Sequence, residues 1–133
     1  MNVVLDTNVL VSGIFFSGPP YEILKAWRNG KFQIVVSPEI MEEYRRVGEI
    51  LGENFPGVEL TPFLKLLTFE ARVVRARPLP DNVCEDPDDD KFLACAVSSR
   101  SGVIISGYKK LLKTSGYRGI KVVKPRFFIE KYL

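Results

Sequence analysis

The stretch NVVLDTN at residues 2–8 places a carboxylate directly after a short apolar run. A continuous run such as NVVL is typical of a strand that is buried on both faces of a parallel sheet. Asp6 then stands at the carboxyl end of that strand, where ligands bind in open α/β sheets. A carboxylate so close to a buried strand needs a partner. We interpret Asp6 as a candidate metal ligand, with a turn or cap role, helped by Asn8, as the alternative.

Further apolar runs alternate with helical patterns along the chain. The predicted strands are 2–5, 32–36, 72–75, 103–106 and 120–123. The predicted helical segments are 21–29, 38–51, 61–70, 88–100, 109–113 and 126–133. This alternation predicts a three-layer α/β/α sandwich with a central, mostly parallel sheet of about five strands.

The composition excludes several kinds of catalytic site. The chain has 133 residues and no histidine, which rules out Ser-His-Asp and Cys-His triads and His-ligated zinc. Catalysis would therefore depend on carboxylates, lysines, hydroxyls, thiols or a metal ion held by oxygen ligands. The length suits one domain, for which we expect the bounds 1–133.

The two cysteines, Cys84 and Cys95, are too far apart in the sequence for a CxxC pair, and two thiols alone do not make a zinc site. We expect a reduced, cytoplasmic protein, and a disulfide between the two stays open. No apolar run approaches ~20 residues, and the apolar start of the chain carries Asp6. We therefore expect neither a membrane span nor a signal peptide.

Basic residues concentrate in one part of the sequence. The net charge is only +3, but between Lys109 and Lys131 there are eight basic residues and one acid, Glu130. Acidic residues cluster elsewhere, at 39–43 and 85–90. A basic segment beside an acidic pocket suits a polyanion bound through metal ions, and a solvated terminal helix and strand is the alternative.

The predicted helix over 38–51 carries three glutamates at different angles to its apolar stripe. Glu43 lies on the flank of the stripe, about 60° from Ile40. Glu39 lies further out, and Glu42 lies on the opposite side. Glu43 is therefore the glutamate expected to reach inward, and a solvated helix face is the alternative.

Three consecutive aspartates, Asp88, Asp89 and Asp90, open the next predicted helix. Aspartate is favoured at helix N-termini, so capping is one interpretation. Three in a row exceed what a cap requires, and they repel one another unless a cation is bound. At helical spacing Asp90 shares a face with the apolar residues that follow it, whereas Asp89 does not. Asp90 is therefore the predicted ligand.

Asp6, Glu43 and Asp90 come from three elements whose ends are expected to meet at one edge of the sheet. A site made only of hard oxygen ligands suits Mg²⁺ or Mn²⁺. Such an ion lowers the pKa of a bound water and neutralises charge that develops on a phosphate. The three carboxylates therefore indicate phosphodiester chemistry.

Four segments, in this order and spacing, resemble the PIN domain family of metal-dependent ribonucleases, which includes VapC-like toxins. The segments are VVLDTNVLVSG at 3–13, VVSPEIMEEYRRV at 35–47, DPDDDKFLACAV at 86–97 and VIISGYKKLL at 103–112. The resemblance spans nearly the whole chain. It is greatest to the branch of toxin components from toxin–antitoxin pairs.

The resemblance implies roles for individual residues. The family's three acids fall on Asp6, Glu43 and Asp90, and Asn8 matches an asparagine that helps to order the site. In the family, a parallel sheet is sandwiched by helices and the acids hold one or two Mg²⁺ or Mn²⁺ ions. The implied reaction is hydrolysis of RNA by a metal-bound water, which leaves a 5′-phosphate.

The sequence departs from the family pattern after the fourth predicted strand. There the family usually reads T-G-D, and the aspartate is often a fourth acid. Here Ser106 keeps the hydroxyl, but Tyr108 replaces the acid and, with a pKa of ~10, is not an anionic ligand at neutral pH. Asp86, Asp88 or Asp89 is then expected to substitute as a supporting acid, or the site to use one ion.

Three functions compete on these residues. The first is an Mg²⁺- or Mn²⁺-dependent endoribonuclease, the toxin of a toxin–antitoxin pair, with RNA and an antitoxin as partners. The second is a catalytically weak or inactive PIN-like domain that binds RNA or protein, as the loss of the fourth acid suggests. The third is a receiver-like or haloacid-dehalogenase-like phosphatase, but the second aspartate expected two residues after Asp6 is missing. A homodimer is expected, as for many PIN relatives.

Overall fold

The computed structural model describes residues 1–133, and a five-stranded sheet lies at its centre. The strands are β1 (Asn2–Leu5), β2 (Gln33–Val36), β3 (Arg72–Val73), β4 (Val103–Ile105) and β5 (Lys121–Val123). Their order across the sheet is β3-β2-β1-β4-β5, and every neighbouring pair is parallel. The predicted parallel sheet is confirmed.

Seven α-helices connect and cover the strands. They are α1 (Thr7–Phe15), α2 (Pro19–Arg28), α3 (Pro38–Gly52), α4 (Leu60–Glu70), α5 (Asp90–Ser99), α6 (Lys109–Leu112) and α7 (Pro125–Tyr132). Short 3₁₀ turns occupy Pro87–Asp89 and Tyr117–Gly119. Because crossovers between parallel strands are right-handed, the helices that link β1, β2 and β3 cover one face, and α5, which crosses back to β4, covers the other. The predicted three-layer sandwich is also confirmed.

The central strand determines where a ligand can bind. β1 pairs with β2 on one side and with β4 on the other, and the strand order reverses direction at this point. In doubly wound sheets the crevice beyond the carboxyl end of such a strand is the usual binding position. Asp6 follows β1 directly, and its backbone N–H donates to the carbonyl of Ile105 at the end of β4 over 3.0 Å.

Helix α1 is not predicted by the sequence pattern. Its residues TNVLVSGIF include several β-branched side chains and a glycine, and most of them are buried, so no polar face reveals a helical period. The Asp6 carboxylate starts the helix by accepting from the backbone N–H of Val9 over 2.8 Å. At Gly13 a Cβ atom would lie 2.6 Å from the Leu24 side chain, so the glycine permits close packing of α2 on α1.

Several element boundaries differ from the predicted ones, most of them by one or two residues. α4 begins at Leu60, with Glu59 before it, and Pro62 lies inside its first turn, where the missing N–H is tolerated. β3 has only two residues because it is an exposed edge strand. The expected helix from Asp88 is split into the 3₁₀ turn and α5.

The core extends through the last helix of the chain. Phe128 in α7 is fully buried, and its ring packs edge-on against Phe32 with centroids 5.3 Å apart.

Cys84 and Cys95 are buried free thiols, and burial raises the pKa of each to about 12. None of the helices is long and apolar enough to cross a membrane.

Candidate active site

Asp6 is a buried carboxylate with both oxygens engaged. It is 4% exposed. Its Oδ1 accepts from the Val9 N–H, and its Oδ2 accepts from the Ser106 hydroxyl. Burial raises the pKa of Asp6, the hydrogen bonds from Ser106 and Val9 oppose the rise, and the nearby charge of Glu43 adds to it. Asp6 therefore serves as a helix cap and also as one wall of an acidic pocket.

Ser106 links the end of β4 to Asp6. Its hydroxyl is fully buried, donates to Asp6 and accepts from the backbone N–H of Tyr108 over 2.9 Å. Tyr108 itself is exposed at the surface, with 38% of the residue accessible. Position 108 thus supports the Asp6–Ser106 pair through its backbone and supplies no fourth carboxylate.

Glu43 points inward from α3, in the orientation that its angle to the apolar stripe predicts. Its side chain is 11% exposed, against 58% for Glu42, which pairs with Arg45. Glu43 Oε2 accepts from the Thr7 hydroxyl, and Oε1 accepts from the Lys91 ammonium over 2.6 Å. Both oxygens of this carboxylate are therefore partnered within the protein.

Thr7 and Lys91 also belong to the site, although no sequence pattern singled them out. Thr7 lies next to Asp6 in the sequence and is buried, and its hydroxyl ties the start of α1 to Glu43. Lys91 follows the three aspartates, and its ammonium also lies 3.1 Å from Asp88 Oδ1. A hydroxyl residue next to a candidate ligand and a cation next to an acidic run were signals available in the sequence.

Asp89 has one carboxylate oxygen, Oδ2, that is buried and has no hydrogen-bond partner. Its pKa is raised to about 6, first by desolvation and then by the negative charges of Asp86, Asp6, Glu43 and Asp88. An unpaired buried carboxylate oxygen is costly unless something binds it. Asp89 therefore lies within the electrostatic reach of Asp6 and Glu43, and one of its oxygens is free to bind a cation.

Asp90, the ligand predicted from the helical wheel, accepts hydrogen bonds from backbone amides. Its Oδ1 accepts from the backbone N–H of Cys84 over 2.8 Å, and both oxygens lie 3.3 Å from the N–H of Val83. The carboxylate is therefore turned toward the loop before the helix. Asp90 lies within α5, as the wheel assumes, whereas Asp89 lies in the 3₁₀ turn Pro87–Asp89, to which the α-helical period does not extend.

The remaining supporting residues lie at the rim. Asp88 is 65% exposed and pairs with Lys91, and the hydrogen bond from Lys91 lowers the pKa of Asp88. Asp86 caps the 3₁₀ turn by accepting from the backbone N–H of Asp88 over 3.0 Å. Asn8 is exposed in the first turn of α1. The hydroxyl that contacts Glu43 is that of Thr7, the residue before Asn8.

The donor set fits a hard divalent ion, although the side chains are not arranged around one. No three acidic or cysteine side chains are positioned to hold a single ion in this conformation. Ser106, Thr7 and Lys91 occupy the oxygens of Asp6 and Glu43. The free Oδ2 of Asp89 and the purely carboxylate chemistry match the preferences of Mg²⁺ and Mn²⁺. Binding would require Glu43 to release Lys91.

Sequence comparisons identify the class to which this fold and pocket belong. The sequence model of the PIN domain matches residues 2–110. The chain belongs to the PIN domain family, whose members are generally nucleases that use divalent metal ions. Over 150 aligned positions it is also 34% identical to the uncharacterized protein MJ1680 of Methanocaldococcus jannaschii, and the alignment covers 99% of this chain and 92% of that protein.

Proposed function

We propose that the protein is a metal-dependent endoribonuclease whose metal ligands are Asp6, Glu43 and Asp89. The observation that carries the proposal is the buried, unpartnered Oδ2 of Asp89 beside two further inward-facing carboxylates. Asp89 replaces Asp90 in the proposed ligand set because the oxygens of Asp90 accept backbone hydrogen bonds from the preceding loop. Membership of the PIN family supports the nuclease class.

The chain's own residues prepare this site for the chemistry. An ion bound by these carboxylates would acidify a coordinated water and offset negative charge on the scissile phosphate. Ser106 and the Val9 N–H fix the Asp6 carboxylate, and Thr7 orients Glu43. Asp6 and Glu43 are thus each held by donors from α1 or from the residue that follows β4, which preorganises these two ligands as metal sites require.

The substrate proposal rests on exposed basic residues, two of which closely follow Ser106 in the sequence. All eight basic side chains between Lys109 and Lys131 are exposed. Lys109 and Lys110 begin α6, directly after the β4–α6 connection that carries Ser106. Cations at this rim suit a phosphate backbone, and positively charged residues supply most of the sequence-independent affinity for nucleic acids. RNA, rather than DNA, is proposed from the family resemblance.

The proposal is tested by cleavage of a mixed-sequence fluorogenic RNA in Mg²⁺ or Mn²⁺. EDTA and the Asp6→Asn variant serve as controls, and any co-purified partner is removed beforehand. Metal-dependent cleavage that Asp6→Asn abolishes supports the proposal. Metal binding without cleavage above the level of the variant would favour the alternative, an inactive PIN-like domain that binds RNA or protein.

A role as the toxin of a toxin–antitoxin pair, with an antitoxin and a homodimeric state, is a finer proposal supported by the family resemblance. Induced expression in a bacterial host is expected to arrest growth, and Asp6→Asn is expected to relieve the arrest. Growth that is unaffected by an active nuclease would remove the toxin role while leaving the ribonuclease proposal in place. Light scattering of the purified protein measures the oligomeric state.

A further inference from the structure

A second cavity, outside the carboxylate pocket, is lined by three arginines. Its volume is about 510 Å³, and Arg75, Arg77 and Arg118 lie in its wall. The other lining residues are Pro78, Leu79, Pro80, Val97 and Ser98. No carboxylate lines the cavity, and none of the three arginines forms a salt bridge. Three cations therefore surround one cavity without a protein counter-ion.

The backbone that carries these arginines is fixed rather than loose. The N–H of Arg77 donates to the Ser98 hydroxyl over 3.0 Å, which ties the segment after β3 to α5. Arg118 has a left-handed backbone conformation, with φ of 49°, and its guanidinium lies 5.4 Å from the centre of the Tyr117 ring. A strained non-glycine residue persists only where its surroundings enforce it, and such residues concentrate at binding sites.

The arginine cavity adjoins a groove at the start of α5, and Lys91 in that groove contacts the proposed ligand Glu43. Pro78 and Leu79 line both, and the groove also includes Asp90 and Lys91 of α5. Val97 and Ser98 lie seven residues further along the same helix, which corresponds to about 10 Å of helical rise. A chain whose phosphate lies at the carboxylates can therefore follow α5 and reach the arginines within a few nucleotides.

We propose that Arg75, Arg77 and Arg118 form a phosphate-binding subsite for the backbone of single-stranded RNA, next to the cleavage site. The proposal rests on the proposed ribonuclease function for its ligand class. Guanidinium groups bind phosphate oxygens through paired N–H donors, and a cavity without carboxylates leaves those donors available. Such contacts position the strand without reading its sequence.

The test measures binding separately from cleavage. Asp6→Asn protein in EDTA is titrated against a fluorescein-labelled single-stranded oligouridine over a series of KCl concentrations. In this background the triple substitution Arg75→Gln, Arg77→Gln, Arg118→Gln is compared with Arg28→Gln, Lys31→Gln, Lys65→Gln. Both sets remove three exposed positive charges, but the second set lies outside the cavity.

The cavity set is expected to weaken binding by tenfold or more. The slope of log K, the RNA association constant, against log [salt] should also become shallower by about 2. Each phosphate contact with a single strand contributes about 0.7 to this slope, and three contacts are removed. The control set should leave the slope nearly unchanged. Equal losses in both sets would overturn the subsite, because they would show only a long-range effect of net charge.

A single substitution separates loss of RNA binding from misfolding. Arg118→Gly removes the guanidinium and accepts the left-handed backbone, so it should fold at least as well as the parent and still bind RNA more weakly. Unchanged RNA binding by Arg118→Gly would overturn the role of that arginine. If the unsubstituted protein binds RNA through the arginines but never cleaves it in Mn²⁺, the proposed function fails while the subsite stands. If it cleaves RNA and the cavity set binds like the control set, only the subsite fails.

Discussion

Glu43 and Lys91 are 48 positions apart in the sequence, yet the Lys91 ammonium donates to Glu43 Oε1 over 2.6 Å. The contact joins α3 to the first turn of α5 at the carboxyl edge of the sheet. The same ammonium reaches Asp88 over 3.1 Å. Without a metal ion, Lys91 therefore neutralises part of the acidic pocket, and a divalent ion must compete with it for Glu43.

Replacing Lys91 by methionine should strengthen metal binding. Removal of the competing cation is expected to raise the affinity for Mn²⁺ by roughly tenfold, because a partly buried ion pair is worth more than about 1.4 kcal/mol at an effective dielectric constant near 20. Isothermal titration of metal-free protein with Mn²⁺ measures the change. Lys110→Met, which removes an exposed lysine outside this ion pair, is the matched control. Equal or weaker Mn²⁺ binding by Lys91→Met would show that Lys91 does not compete.

Asp89 and Asp90 should differ in their effects on stability. Asp90→Asn replaces a charged acceptor of backbone hydrogen bonds from Val83 and Cys84, so the free energy of unfolding should fall by about 1–3 kcal/mol. Asp89→Asn removes an unpaired buried charge and should leave the metal-free protein equally or more stable. Urea unfolding in EDTA at neutral pH compares the two variants. The reverse order would contradict the assignment of the two carboxylates.

The stability of the metal-free protein should carry a pH signature from Asp89. Its folded-state pKa of about 6 lies above the ordinary value of 3.8, so the folded state holds this proton more tightly than the unfolded state. The contribution of Asp89 to stability is therefore greatest below pH 3.8 and is lost as the pH rises to about 6. Unfolding of the unsubstituted protein and of Asp89→Asn in EDTA isolates this contribution. A difference between them that stays constant across the window would refute the shifted pKa.

Tyr44 supports the end of the central strand. Its fully buried hydroxyl donates to the carbonyl of Leu5 over 2.5 Å, immediately before Asp6. Tyr44→Phe leaves that carbonyl without its side-chain partner, which should cost about 1–3 kcal/mol of unfolding free energy. Tyr21→Phe, at an exposed tyrosine, is the control and should change little. Chemical denaturation measures both, and equal effects of the two would contradict the role assigned to the hydrogen bond.

The sequence was sufficient to predict the sheet and one helix orientation. Each interior strand is a short Val- or Ile-rich run, and burial on both faces makes such runs recognisable. The inward orientation of Glu43 followed from its angle to Ile40 and Tyr44, both of which are fully buried. These features depend on local periodicity, which a single sequence records.

Features that depend on tertiary contacts were not predictable in the same way. Helix α1 has no polar face because α2 and α3 pack against it, so its period is hidden. The contacts of Asp90 were hidden from the helical wheel because its partners are backbone amides of the preceding loop. Lys91 reaches Glu43 only once α3 and α5 are brought together.

The most direct test of the account is the rate of Mn²⁺-dependent cleavage of mixed-sequence RNA by the unsubstituted protein and by Asp89→Asn. The variant removes the one carboxylate with a free, buried oxygen and leaves the hydrogen bonds of Asp6, Glu43 and Asp90 in place. We expect cleavage in Mn²⁺ and none in EDTA. The cleavage rate of Asp89→Asn should be lower by about 100-fold or more, because the loss of an outer-shell partner alone lowers activity by up to about 100-fold. Cleavage by Asp89→Asn at the rate of the unsubstituted protein would contradict the proposed metal centre.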